Sequence, residues 1–166
     1  RHDGQRYTVS PRGLVWDNEN YYLVAYDPRH GETRHYRVDK MAELAVTCLP
    51  RDREGAEPFD MAAYAQRHFG MFTGREATVR LRCENRLAQV ILDRFGMEVI
   101  LVPDGADHFI VALELAVSPQ FFGWLFGLGD GVELLSPDWA VAGFRAHLQR
   151  VAARCGGHDA PAEGIG

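Results

Sequence analysis

The sequence is short of lysine, of cysteine and of long apolar runs, and each shortage excludes a class of protein. Lysine occurs once among 18 basic residues, and the acidic residues outnumber the basic ones to give a net charge of −5. No global positive field attracts nucleic acid, so any anion binding must come from a local cluster. No apolar run approaches the roughly 18 residues that a membrane-spanning helix needs.

The few cysteines indicate a reducing compartment. Cys48, Cys83 and Cys155 are odd in number and far apart, and none belongs to a C-x-x-C pair. They predict reduced thiols in the cytoplasm rather than a disulfide scaffold. The chain begins without methionine and without a signal-peptide pattern, which we interpret as the internal edge of a longer protein.

The first fifty residues predict an antiparallel β-structure. Short β-branched or aromatic runs, separated by turn residues, occur at 6–11, 13–17, 20–27, 33–39 and 41–47. Five strands this close together leave no room for crossover helices, so we expect hairpins that curl into a small barrel.

A different pattern begins at residue 76. The predicted elements are, in order, a strand (76–83), a helix (85–96), two strands (97–103 and 108–117), a helix opened by Ser118-Pro119 (120–129), a strand (132–135) and a helix ending near 153. Asn85, Ser118-Pro119 and Ser136-Pro137 are the expected helix starts. The order βαββαβ plus a terminal helix predicts a ferredoxin-like fold.

These patterns divide the chain into four segments. The charged, proline-containing stretch at 50–58 has no periodicity, and a short helix with Asp60 as its N-cap follows it. The predicted segments are a β-barrel (1–50), a linker with a short helix (51–75), a ferredoxin-like domain (76–154) and a disordered tail (155–166).

No motif in the sequence predicts catalysis. The histidines and cysteines lack the spacing of metal ligands, and no loop has the glycine pattern that binds phosphates ahead of a helix. No serine or cysteine is marked out as a nucleophile beside a base. We therefore predict no enzyme, no metal site and no cofactor.

The stretch RHYRVDK (34–40) is the strongest candidate for a binding site. Side chains alternate on a strand, so one face would carry Arg34, Tyr36 and Lys40, and the other His35, Arg37 and Asp39. Cations interleaved with aromatic side chains favour an anionic or base-containing ligand. Two alternatives remain open: a solvated edge, and an ion pair in which Asp39 orients Arg37.

The stretch QFFGWLFGLG (120–129) is aromatic almost all around one short helix. A surface helix needs a single apolar stripe, so this helix is either buried between the sheet and the terminal helix or part of a homodimer contact. The candidate interface residues are Phe121, Phe122, Trp124 and Phe126.

Several motifs together resemble a known family. The run SPRGLVWDNENYYLVAYDPRHGETRHYRVDKM resembles a WYL domain, the β-barrel module of bacterial transcription regulators. The segments FDMAAYAQRHFGMF, VILDRFG, SPQFFGWLFGLG and VELLSPDWA resemble the extension that often follows it. The resemblance covers residues from about 8 to 153. It departs at one point, because the Trp-Tyr-Leu that names the domain is Tyr21-Tyr22-Leu23 here.

The resemblance implies a fold and a role. It implies an SH3/Sm-like barrel and a ferredoxin-like extension in a dimeric regulator, behind a helix-turn-helix domain that binds promoter DNA and is absent from this chain. The barrel would sense an anionic effector, either single-stranded DNA or RNA or a nucleotide, to control that missing domain. The alternative is an interaction and dimerisation module without a small ligand. By matching position, the effector-binding residues are Ser10, Tyr22, Arg34, Tyr36, Arg37, Asp39 and Lys40.

Overall fold

The computed structural model describes residues 5–53 and 58–155. The chain divides into unit 1, residues 1–75, and unit 2, residues 76–166. Apart from Cys155, the tail predicted to be disordered lies outside the described residues. Within the described ranges, no helix is long and apolar enough to cross a membrane.

Unit 1 is built on a three-stranded antiparallel sheet. Its strands are β1 (Ser10–Asp17), β2 (Asn20–Asp27) and β3 (Glu32–Arg37), in the order β1-β2-β3. Asn18 and Glu19 connect β1 to β2 with φ values of 45° and 60°. Two successive positive φ values are what a tight two-residue hairpin turn requires, and they fix the register of the pair.

Two of the five strands predicted in this region do not form separately. The run at 6–11 contributes only its end to β1, and within residues 5–53 the run at 41–47 joins no ladder. A 3-10 turn at Val38–Lys40 redirects the chain, and Glu43 interrupts the extended backbone with a φ of 52°. Leu44 and Val46 consequently stay in solvent, and a strand without a packing face is not stabilised.

Helix α1 (Met61–Arg67) packs against one face of this sheet. Asp60 caps it as predicted, because its carboxylate accepts a hydrogen bond of 2.9 Å from the backbone N–H of Ala63. A β-carbon added at Gly13 would lie only 3.1 Å from the sulfur of Met61. Glycine at this point of β1 therefore permits the close approach of the helix.

Unit 2 has the ferredoxin-like fold that the sequence predicts. Its elements are β4 (Arg75–Glu84), α2 (Ala88–Phe95), β5 (Leu101–Asp104), β6 (His108–Val117), α3 (Pro119–Gly127), β7 (Val132–Ser136) and α4 (Asp138–Ala152). The sheet order β5-β6-β4-β7 is that of a split βαβ arrangement. The predicted class, a small β-structure followed by an α/β domain, is confirmed.

The core of unit 2 follows the predicted alternation of β4. Val79, Leu81 and Cys83 have no exposed surface, as one face of a strand under a helical layer requires. Phe121 and Leu125 of α3 are buried as well. Burial raises the pKa of the Cys83 thiol to about 11.

Of the three predicted helix starts, only Ser118-Pro119 is correct. Ser118 accepts a hydrogen bond from the N–H of Phe121, with Pro119 in the first turn. The prediction for Asn85 is wrong, because a 3-10 turn precedes α2 and the Asn85 amide donates to the carbonyl of Ala106 at 2.9 Å. Ser136 ends β7, and Pro137 is the N-cap residue of α4. Of the strand predicted at 97–103, only residues 101–103 form a strand, as part of β5.

Candidate anion-binding site

Strand β3 distributes its side chains between the two faces of the unit 1 sheet. Arg34 and Tyr36 lie on one face, which we call the Arg34 face, together with Asp27 of β2. His35 and Arg37 lie on the opposite face, which we call the His35 face. Helix α1 packs on the His35 face, since the hydroxyl of its Tyr64 lies 2.5 Å from Nε2 of His35.

Lys40 does not lie where the sequence predicts. Alternation would place it with Arg34 and Tyr36, but β3 ends at Arg37 and Lys40 belongs to the following 3-10 turn. Its Nζ lies 3.2 Å from Oδ2 of Asp39. The spacing argument fails here because it holds only while the chain stays extended.

Arg37 and Asp39 form the ion pair that was one alternative for this stretch. Nε and Nη2 of Arg37 donate to the two carboxylate oxygens of Asp39 at 3.0 and 2.9 Å, and Nη2 also donates to Oδ1 of Asn20 at 2.7 Å. The hydrogen bonds from Arg37, followed by that from Lys40, lower the pKa of Asp39 to about 2. Asp39 therefore orients Arg37 and neutralises one of two neighbouring cations.

The Arg34 face is organised around the buried carboxylate of Asp27, which has no exposed surface. Asp27 accepts hydrogen bonds from the hydroxyl of Tyr36 at 2.8 Å, from Nδ1 of His30 at 2.9 Å and from the backbone N–H of Arg29 at 3.0 Å. Burial raises the pKa of Asp27, but these donors outweigh burial and the net pKa lies below the usual value. Burial and the bond to Asp27 raise the pKa of Tyr36, so its hydroxyl remains a donor.

Arg34 lies over the imidazole of His30. Its Nη1 is 3.1 Å from each ring nitrogen, and its Nε is 3.3 Å from Oε1 of Glu32. Nδ1 of His30 is bonded to Asp27, so the Arg34 guanidinium lies over a ring whose position is fixed from below. The side chains of Arg34 and His30 are 36% and 44% exposed, so a ligand in solvent reaches both.

Aromatic and cationic groups extend this site. The ring of Tyr7 lies 5.8 Å from that of Tyr36, and the guanidinium of Arg29 lies 4.9 Å from the Tyr7 ring centroid. The Arg29 guanidinium also donates to the backbone carbonyl oxygen of Arg6. Guanidinium groups beside aromatic faces bind anions and stack on planar groups.

A pair of exposed aromatic rings lies on the same face. Trp16 and Tyr21 are opposite each other in the β1–β2 ladder, and their ring centroids are 4.7 Å apart. Both are more than half exposed, as is Leu14 on β1. Tyr21 lies four residues from the position opposite Arg34 in β2, which is about 13 Å along a strand.

The structure does not bring the seven predicted effector-binding residues into one pocket. Arg34 and Tyr36 lie on the Arg34 face, Tyr22 and Arg37 on the His35 face, and Asp39 and Lys40 in the turn beyond β3. Ser10 is buried at the start of β1, where its Oγ accepts from the backbone N–H of Asp52 at 2.8 Å.

Sequence reasoning missed the members of the site that lie in a turn. Asp27, Arg29 and His30 belong to the stretch DPRHG, whose composition indicates only a turn. The carboxylate of an aspartate that begins such a turn commonly accepts a hydrogen bond from the backbone N–H two residues later, as Asp27 does from Arg29. A histidine three residues after that aspartate is the signal that could have indicated the network.

The aromatic helix α3 packs mainly within unit 2. Phe121 is fully buried, Phe122 contacts Phe144 with a centroid separation of 5.4 Å, and Trp124 contacts Phe95 at 5.6 Å. Phe126 differs, because 68% of its surface is exposed. Phe121 thus supports the helix and presents no surface to a partner, whereas Phe126 does present one.

Comparison with known proteins finds two domain families. The WYL domain matches residues 1–46, and the WCX domain matches residues 75–152. Among solved structures, the chain is similar to Proteasome accessory factor B/C (PafBC) of Arthrobacter aurescens, at 17% identity with a TM-score of 0.43 over 92% of this chain. The chain spans 22% of the length of that protein. No curated protein sequence matches.

Proposed function

The chain belongs to the WYL-domain family of transcriptional regulators, and on this premise we propose that unit 1 binds an anionic effector on its Arg34 face. The ligand is a single-stranded nucleic acid or a nucleotide. Its binding controls a DNA-binding domain that lies outside this chain, in a cytoplasmic homodimer. The region acts without catalysis and without a cofactor.

The observation that carries this proposal is the support beneath Arg34. The guanidinium is partly exposed, yet it rests on His30, which is held in turn by the buried Asp27. A cation held in place before binding loses less conformational freedom when a ligand arrives. Arg34 therefore provides an oriented, charge-assisted donor for a phosphate oxygen.

The exposed rings of Trp16 and Tyr21 favour nucleic acid over a small inorganic anion. They lie on the same face as Arg34, about 13 Å from it along the strand. A phosphate on Arg34 and a base on this ring pair would be bound by one short oligonucleotide. Base stacking on aromatic side chains tolerates any sequence, which suits a sensor of single strands.

Arg37 and Lys40 supply a secondary contribution. They flank Asp39, so the three side chains together carry one net positive charge. Both cations are at least 40% exposed and would attract a phosphate backbone without fixing its orientation. In this arrangement Asp39 positions Arg37 and does not contact the ligand.

An effector regulates only through a difference in affinity. It shifts the regulator toward one arrangement if it binds that arrangement more tightly than the other. The full-length protein is therefore expected to change its affinity for promoter DNA when the Arg34 face is occupied.

The test is binding of labelled single-stranded DNA, RNA and nucleotides at two salt concentrations, measured by fluorescence anisotropy. Affinity should fall as salt rises, with a slope of ~0.7 per phosphate contact on a single strand. Arg34→Ala should weaken binding and flatten this slope, and Lys40→Ala should do so less strongly. Arg150→Ala, at an exposed arginine of unit 2, is the matched control and should bind like the wild type. The proposal fails if nothing binds, or if the Arg34→Ala, Lys40→Ala double variant binds unchanged.

A second candidate function is a pure interaction module. The exposed Leu14, Trp16 and Tyr21 in unit 1 and the exposed Phe126 in unit 2 favour it, since aromatic residues concentrate at protein interfaces. It predicts a stable dimer in solution and no effect of nucleotides or oligonucleotides on thermal stability. The anisotropy measurement therefore separates the two functions.

A further inference from the structure

We propose that residues 5–9 form a strap across the Arg34 face, and that a bound nucleotide displaces this strap and so acts on the chain that leads to the DNA-binding domain. This inference rests on the proposed function and adds the segment through which occupancy of the site is transmitted. The strap precedes β1, and it contacts the site through the ring of Tyr7 and the backbone of Arg6.

Tyr7 and Arg6 attach the strap to the site. The ring of Tyr7 lies 5.8 Å from that of Tyr36, at an interplanar angle of 55°, and the guanidinium of Arg29 lies 4.9 Å from the Tyr7 ring centroid. The same guanidinium donates to the backbone carbonyl oxygen of Arg6. The backbone N–H of Arg29 donates to the buried carboxylate of Asp27 at 3.0 Å. The strap is therefore attached to the same carboxylate network that supports the anion site.

The ring of Tyr7 lies where the base of a bound nucleotide would lie. Arg34 and Tyr36 are two residues apart on one face of β3, which separates their α-carbons by about 7 Å. A nucleotide whose phosphate is bound by Arg34 therefore reaches Tyr36 with its own base. Because Tyr7 already covers the Tyr36 ring, the base and Tyr7 compete for one stacking surface.

The other contacts of the strap are weak. Nη2 of Arg6 lies 3.0 Å from Oε2 of Glu43, but both side chains are mostly exposed, and such an ion pair contributes little stability. The hydroxyl of Tyr7 donates to Oε1 of Gln5 within the strap itself, at 3.2 Å. In the part of the chain that the structure describes, residues 5–9 join no ladder. A segment held by exposed side chains opens more easily than one held in a sheet.

Displacement links the site to the preceding domain. The proposed DNA-binding domain precedes this chain, so residues 5–9 join it to the sheet. While Tyr7 covers Tyr36, the strap is fixed on the Arg34 face, and when a base takes that place the strap is released. The effector thereby binds the open arrangement more tightly than the closed one, which is the difference in affinity that regulation requires.

Competition determines the sign of the effect in one variant. A ligand that binds only the open state loses apparent affinity as the open fraction falls, so a strap closed about nine-tenths of the time weakens binding about tenfold. Tyr7→Ala should therefore bind tighter than wild type, by several-fold and up to about tenfold. A tyrosine that contacted the ligand directly would show the opposite, a weaker affinity on truncation.

The experiment measures binding of labelled tetrathymidylate by fluorescence anisotropy. Wild type, Tyr7→Ala and Thr8→Ala are compared at the same salt concentration. Thr8 is an exposed neighbour in the strap, so Thr8→Ala is the matched control and should bind like the wild type. Weaker binding by Tyr7→Ala would make Tyr7 a ligand contact and overturn the strap, and unchanged binding would overturn it as well.

A second measurement needs no variant. In the wild-type protein, nuclear magnetic resonance should show Overhauser contacts between the rings of Tyr7 and Tyr36, and these contacts should disappear when tetrathymidylate is added. Contacts that persist in the complex overturn displacement. This test remains valid even if Tyr7→Ala unfolds, which its thermal unfolding curve would reveal.

A third measurement uses the full-length regulator and its promoter DNA. Tyr7→Ala without ligand should shift promoter affinity in the same direction as tetrathymidylate shifts it in the wild type, and adding tetrathymidylate to the variant should change it little further. If the variant without ligand binds the promoter like the unliganded wild type, release of the strap is not the signal.

The outcomes separate this inference from the proposed function. If tetrathymidylate binds the wild type through Arg34 but binds Tyr7→Ala no tighter, the anion site stands and the strap is wrong. If tetrathymidylate binds neither protein, the proposed function fails and the strap fails with it.

Discussion

Nδ1 of His35 lies 2.7 Å from the backbone carbonyl oxygen of Met71, which ties strand β3 to the chain that follows α1. Nδ1 therefore carries the proton, and Nε2 accepts from the hydroxyl of Tyr64. Burial, followed by the neighbouring His68, lowers the pKa of His35 to about 4. The folded protein thus holds this imidazole neutral at physiological pH.

The first prediction concerns stability below neutral pH. An unfolded histidine titrates near 6.5, so between about pH 6.5 and about pH 4 the unfolded chain binds more protons at residue 35 than the folded chain does. Stability is complete above that window and decreases as the pH falls through it. We expect a loss of roughly 2 kcal/mol between pH 7 and pH 5 from this residue.

Urea unfolding of the wild type at these two pH values measures the loss. His35→Gln should be less stable at pH 7 but should lose less on acidification, because glutamine does not titrate. His108→Gln should retain the wild-type dependence. A pH dependence identical in His35→Gln and wild type would show that His35 is not responsible.

The second prediction tests whether the hydroxyl of Tyr36 supports Asp27 or contacts the ligand. Tyr36→Phe removes a donor from the fully buried Asp27, and a buried carboxylate with one donor fewer is costly. We expect a loss of about 1–3 kcal/mol in the free energy of unfolding. The affinity for oligonucleotide should change less than in Arg34→Ala. Unchanged stability would contradict the role of this hydroxyl in holding Asp27.

The third prediction tests the ring pair. Trp16→Ala should weaken oligonucleotide binding by about 1–3 kcal/mol, the usual contribution of one stacked base. Its affinity for sulfate should stay at the wild-type value, because an inorganic anion has no base to stack. Trp16 is 60% exposed, so the fold should tolerate the change. Equal losses for both ligands would place Trp16 in a structural role.

The fourth prediction concerns association through α3. Phe126→Asp should convert a dimer to a monomer without loss of stability, since the side chain is mostly exposed. Trp124→Asp is the contrasting variant: it removes the contacts with Phe95 and Phe121 and should lower the melting temperature. Sedimentation velocity gives the oligomeric state. A monomeric wild type would end the dimer proposal, and a Phe126→Asp dimer would place the interface elsewhere.

Unit 2 shows how far local rules extend. The alternation of β4 places Val79, Leu81 and Cys83 on one buried face, and Ser118-Pro119 begins α3 as predicted. Both predictions depend on neighbours within a few residues along the chain, which the sequence displays directly. Asn85 shows the limit of these rules, because the amide that should have capped a helix bonds to Ala106 of a distant turn.

The candidate site, too, follows in part from the sequence and in part only from the tertiary structure. The sequence by itself assigns Arg34 and Tyr36 to one face of a strand and Arg37 to the other, because a strand has a period of two. Only the tertiary structure decided where that strand ends, and so removed Lys40 from the Arg34 face. It also decided that His30 and Asp27 lie beneath Arg34. Those contacts follow from the register between β2 and β3 and from the turn that joins them, and register is a property of paired strands that no single run of residues contains.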